Sequence, residues 1–189
     1  GVGMYACRMA WSLIAAGYSE VKVLDTKFVD LDPTLLAPGT EQIEAESAKT
    51  AMTLTGYVNI NFLQDNLTRV QILDVRTPEE YRGVLPRMQN PEPGSVCGRI
   101  PGALNWDWRT LYTHEGKLRE RPEIMAEIRR IGIIQERPTI IYDFNGARSA
   151  TTALLLSRCG YRQISVYLGS WMEWRKTRLP KQDMHVWHG

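Results

Sequence analysis

An α/β fold built on a doubly wound parallel sheet with flanking helices is what the sequence predicts, and three observations carry it. Short β-rich runs recur and stop abruptly: Val70–Leu73 ends at Asp74, Thr139–Tyr142 ends at Asp143, and Ile164–Tyr167 forms a third. Helical patterns alternate with these runs, which argues for parallel strands joined by helices. The stretch "TIIYDFNGARSA" (Thr139 to Ala150) places a strand, a tight loop with Gly146 and Arg148, and a helix start in succession. That succession is how α/β proteins build an anion cradle.

Each element follows from its residues. "MYACRMAWSLIAAG" (Met4 to Gly17) reads as a helix that stops at a glycine. "VKVLD" (Val21 to Asp25) reads as a strand. Asp32 to Gly56 is polar and contains Pro33, Pro38 and Gly39, so it reads as a linker with one helical turn pair. "TPEE" starts a helix, with Thr77 as N-cap, Pro78 at the first position and Glu80 closing a capping box. Leu85 to Gly98 reads as a proline-rich surface excursion. Arg121 to Ile131 is a helix, because Ile124, Met125, Ile128 and Ile131 share a helical face. A second helix runs through "ATTALLLSRCG" after Ser149, and a short one through "SWMEWRK". The tail "KQDMHVWHG" ends on an apolar Trp187, which suits either a docking peptide or a segment folded back on its own domain.

Composition excludes several functions. The net charge of +2, from 23 Lys+Arg against 21 Asp+Glu, is too balanced to point to nucleic acid. No apolar run approaches the roughly 18 residues of a membrane span. Cys7, Cys97 and Cys159 form no CxxC pair, so a reducing compartment is the default. His114, His185 and His188 have no ligand spacing, and neither a metal nor another cofactor is expected. The first residue is Gly1, so a processed or truncated product is expected, with any targeting segment out of view.

The chain also repeats itself. "AAGYSEVKVL" (Ala15 to Leu24) lies over "SRCGYRQISVYL" (Ser157 to Leu168), so that Gly17-Tyr18 meets Gly160-Tyr161 at an offset of 143. Val21 then meets Ile164, Val23 meets Val166, and Gly3 meets Gly146. Glycine-tyrosine pairs before β-runs are common, but several apolar matches in register favour a true repeat.

Four segments in order, "ILDVRTPEEYRG" (Ile72 to Gly83), "GRIPGALNWDW" (Gly98 to Trp108), "IIYDFNGARS" (Ile140 to Ser149) and "LGSWMEWRKTRLP" (Leu168 to Pro180), resemble the tandem rhodaneses, the thiosulfate and mercaptopyruvate sulfurtransferases. "GMYACRMAWSLIAAGYSEVKVLD" resembles the back half of that family's first domain. The resemblance implies a rhodanese-like sheet and a cysteine nucleophile at the strand end that carries a persulfide. The corresponding residue here is Asp143, and a carboxylate cannot become a persulfide. The active-site loop (Asp143, Phe144, Asn145, Gly146, Ala147, Arg148) is therefore expected to be degenerate, with no catalytic residue. Asp143 plugs a cradle formed by Gly146, Ala147, Arg148 and Ser149. An aspartyl nucleophile is the rival reading, but the usual second aspartate two residues on is Asn145. Arg82, Arg99 and Cys97 are candidates for the rim. Glu80 stands where active relatives often carry an arginine.

The expected organisation is the back half of a degenerate first unit at 1–31, a linker at 32–55, a complete rhodanese-like domain at 56–180 and a tail at 181–189. The helix of the first unit would expose Met4, Trp11, Leu13 and Ile14, so a protein partner is expected on residues 1–31, in a hetero-oligomeric assembly. The function expected is binding or scaffolding. The alternative is an active sulfurtransferase that uses a non-standard cysteine such as Cys97. The resemblance and the basic pI of about 8.5 suggest a mitochondrial location, and otherwise a cytoplasmic one.

Overall fold

The computed structural model describes residues 3–24, 30–35, 39, 56–84 and 96–186. Its centre is a five-stranded, wholly parallel sheet of β1 (Tyr57–Val58), β2 (Gln71–Asp74), β4 (Leu104–Asn105), β5 (Thr139–Tyr142) and β6 (Ile164–Tyr167), in the order β1-β6-β5-β2-β4. The remaining β3 (Val96–Arg99) and β7 (Gln182–Val186) form a separate antiparallel ribbon. The helices are α1 (Met4–Ala15), α2 (Ile60–Asn66), α3 (Pro78–Tyr81), α4 (Arg121–Arg130), α5 (Ala147–Arg158) and α6 (Ser170–Trp174).

The sheet is covered on both faces, which is why β2 and β5 are buried throughout. Successive side chains of a strand point to opposite faces. Leu73, Ile141 and Val166 pack with α1, α4 and α5 around Trp11, Ile128 and Leu156. Their neighbours Ile72, Ile140 and Tyr167 pack with α2 and α6 around Leu63, Trp171 and Trp174. The capping box at α3 forms as its sequence requires: Thr77 Oγ1 accepts from the Glu80 N–H, and Glu80 Oε2 accepts from the Thr77 N–H.

Three expectations need correction. Of the strand expected at Val21–Asp25, Val21–Leu24 pairs with no strand among the described residues, and Asp25 lies outside them. Trp11 is not left in water: it is only 7% exposed, because α1 lies along α5 and Trp11 meets Tyr57 edge-on at 6.4 Å. Met4 and Leu13 are half-buried, and Ile14 remains exposed. The end of the Leu85–Gly98 excursion is not an open loop, because Val96–Arg99 pairs with the tail. Of the two fates open to the tail, Gln182–Val186 takes the folded-back one, while Trp187 lies outside the described residues. Residues 85–95 and most of the linker also lie outside them, apart from a 3-10 turn at Pro33–Leu35.

The repeat register reappears in the helices. Both α1 and α5 have 12 residues, and Met4–Ala15 lies at the offset of 143 from Ala147–Arg158. The glycines that follow, Gly17 and Gly160, have φ values of 94° and 96°. Two helices of equal length thus pack on one another.

Candidate functional site: an anion cradle filled by its own carboxylate

At the end of β5 the chain leaves the sheet at Asp143 and turns back into α5. Gly146 makes the turn with φ of 90°. That φ would strain any other residue, and a Cβ there would also displace the end of the Arg8 side chain and crowd the Leu168 carbonyl at 3.2 Å. The turn aims the first N–H groups of α5 inward, and the Asp143 carboxylate, 0% exposed, takes them. Oδ1 accepts from the Gly146 N–H and from Ser149 Oγ at 3.4 Å. Oδ2 accepts from the Arg148 N–H at 2.8 Å. Ser170 Oγ lies 3.1 Å from Oδ1 and 2.9 Å from the Tyr167 carbonyl, and its single proton serves one of them at a time. Ala147, expected in the cradle, contributes no N–H to the carboxylate among the described hydrogen bonds.

The arginine is committed elsewhere than its position suggests. Arg148 Nε is 3.8 Å from Asp143 Oδ2, but its terminal nitrogens grip Glu80 at 2.7 and 3.1 Å. Both partners are 6% exposed, so this is a buried ion pair directly behind the cradle. Glu80 is thus two things at once, a helix cap and the counter-ion of the cradle arginine. The capping motif was visible in the sequence, but the pairing across 68 residues had no local signal. Ser170 was missed for the same reason. So was Arg8, whose Nη1 donates to the Asn145 carbonyl at 3.3 Å and leans α1 on the loop. Phe144 is half-buried under Arg175, 5.5 Å from its ring centre.

Burial pushes the Glu80 carboxyl up, but the hydrogen bonds and charge of Arg148, helped by the Thr77 N–H and Arg76, outweigh it and hold the pKa below its ordinary 4.5. The sign of the pH effect follows. The pair's contribution is fully present above the unfolded value of about 4.5 and is lost as pH falls through the lower folded value. The parent and a Glu80→Gln variant should therefore differ in melting temperature at neutral pH and converge in acid. A difference that stays constant from pH 7 down through acid unfolding would contradict this.

The rim candidates do not converge on the cradle. Arg82 is exposed and pairs with Glu79 at 3.5 Å. Arg99 lies over the Tyr81 ring at 4.3 Å and is held by Asp183 of the tail. Cys97 sits in β3, 3% exposed, and burial pushes its thiol pKa up, with Arg76 and Arg175 opposing only in part. A buried cluster beside the site holds the end of β2. Arg76 chelates Asp74, Tyr142 donates to the same carboxylate at 2.5 Å, and the guanidinium faces the Trp171 ring at 4.9 Å. Among the described residues no three His, Cys, Asp or Glu side chains are grouped to hold a metal, and no helix is long and apolar enough to cross a membrane.

Fold and site together define an α/β protein with a strand–loop–helix turn whose Gly146 and Arg148 N–H groups are taken up by the chain's own carboxylate. The chain belongs to the Rhodanese-like domain family, which residues 44–177 match. It is 34% identical to the sulfur carrier protein TtuD of Thermus thermophilus over 106 residues, 54% of this chain and 37% of the relative. It is 27% identical to the 3-mercaptopyruvate sulfurtransferase of Escherichia coli O157:H7 over 95% of this chain and 64% of the relative. The thiosulfate sulfurtransferase of Gallus gallus is also 27% identical, over 90% of this chain and 58% of the relative. The chain thus spans less than two thirds of the length of these curated relatives. An anaerobic ergothioneine biosynthesis enzyme from Chlorobium limicola shares the fold, with a TM-score of 0.79 and 23% identity over 95% of this chain and 45% of that one.

Proposed function

We propose that this chain is a rhodanese-like protein without sulfurtransferase activity, and that it acts by binding. One observation carries the reading: the fully buried Asp143 carboxylate takes the Gly146 and Arg148 N–H groups that would otherwise serve an anionic sulfur. On this reading Asp143 occupies the place of the family's nucleophile, and it has no sulfur to transfer. The buried, proton-retaining thiol of Cys97 speaks against the alternative of transfer through that residue. Thiosulfate and 3-mercaptopyruvate, each offered with cyanide as acceptor, should give no thiocyanate above a no-protein control. Turnover that disappears in Cys97→Ser would reverse the assignment.

The matching registers of α1 and α5 support a tandem organisation, with 1–31 equivalent to the back half of one unit and 56–180 forming another, joined by 32–55 and followed by the tail at 181–189. Tyr5, Met9, Ile14, Tyr18 and Leu24 remain exposed after α1 has docked on α5, Tyr5 to 70%. These apolar side chains support a protein partner on residues 1–31 within a hetero-oligomeric assembly. Association that is unchanged when Tyr5 and Met9 are both replaced by serine would remove that surface from consideration.

A further inference from the structure

At the far end of α5 from the cradle, a helix length of roughly 18 Å away, lies a second cavity. It measures about 410 Å³ and opens between the start of α4 and the last turn of α5. Its apolar lining is Leu118, Ile124 and Leu155 with Cys159, which belong to or pack on the main core, and the rest of its lining is polar. Its rim carries three guanidinium groups, those of Arg119, Arg121 and Arg158, against the single carboxylate of Glu120. From these we infer that the cavity binds a small organic oxyanion, a phosphate or carboxylate attached to a short apolar body.

The geometry supports each half of that ligand. A volume of this order is within the range of small-molecule sites, and the apolar lining accepts a ring or short alkyl group. The rim has donors to spare. Arg121 uses one nitrogen on the Cys159 carbonyl at 3.2 Å, which also offsets the negative end of α5. Among the described residues Arg119 makes a long contact to Glu123, at 3.9 Å, and one to the Tyr112 carbonyl at 3.4 Å. Arg158 is exposed and has no ion pair among the described residues. Each guanidinium has five N–H groups arranged to grip an oxyanion through two of them. An ordinary solvated arginine face would lack the apolar recess beneath it. The Asp143 cradle cannot offer the same service, since its N–H groups already hold a carboxylate.

The test is a titration of the full chain with phenyl phosphate, followed by backbone amide NMR, with inorganic phosphate and phenol as half-ligands. Saturable binding should appear below about 10 mM and be about tenfold weaker for either half-ligand. Shifts should be confined to residues 118–124 and 155–160. The double variant Arg119→Gln/Arg158→Gln alters two surface side chains, keeps a folded amide spectrum and should weaken phenyl phosphate about tenfold. No saturation, unchanged affinity in the double variant, equal affinity for inorganic phosphate, or shifts centred on 143–149 would each overturn the inference.

Discussion

Asp143→Cys should turn the plugged cradle into a sulfur-accepting one. In this variant the thiolate attacks the outer sulfur of thiosulfate, the S–S bond breaks, sulfite leaves and a persulfide remains on residue 143. The reasons are already in place: the N–H groups of Gly146 and Arg148 converge where the new sulfur would sit, and the N-terminus of α5 favours an anion there. Mass spectrometry should show a gain of one sulfur atom per chain, removed again by cyanide as thiocyanate. Turnover should stay slow, on the order of a hundredfold below a cradle whose arginine is unpaired, because Glu80 neutralises Arg148. No sulfur gain in a folded Asp143→Cys chain would show that the loop is not a usable cradle. Fast turnover from the single change would show that the Glu80 charge is irrelevant to it.

Glu80→Ala should be the most damaging single truncation near the site. It leaves the buried Arg148 guanidinium with only the longer 3.8 Å contact to Asp143, which costs up to about 3–5 kcal/mol, and it removes one half of the α3 capping box. Domains of ordinary size have about 5–15 kcal/mol of stability in all, so the variant should unfold at a much lower urea concentration. Thr77→Ala isolates the capping share, about 1 kcal/mol. Replacing the pair together, as Glu80→Leu with Arg148→Met, should recover most of the loss, because two apolar side chains avoid the desolvation that the ions bear. If Glu80→Ala costs no more than Thr77→Ala, the buried pair is energetically idle.

The parts of the fold that could be read from the chain are those with local causes. The runs that became β2, β5 and β6 are continuous because both faces are covered, and the capping residues of α3 lie within one turn of each other. The strand–loop–helix succession at Asp143 was legible because strand, glycine and helix start are adjacent in sequence. What escaped was set by distant partners. Val21–Leu24 has the composition of a strand but no strand to ladder with among the described residues. Val96–Arg99 became a strand only because the tail came back to meet it. Glu80, Arg8 and Ser170 reach the loop from three separate elements, and nothing in their own surroundings announces it.

The packing of α1 on α5 and the pairing of β1 with β6 have a consequence for the order in which the protein can come into being. Chains are made from the N-terminus at about 5–20 residues per second. The helix Met4–Ala15 is made 143 residues ahead of the surface it covers, Ala147–Arg158, and Tyr57 must wait for Val166. On the order of ten seconds separates the two halves of each contact during synthesis. Through that interval the face of α1 that meets α5 has no native surface to cover, and a helix made ahead of the sheet is finished only after it.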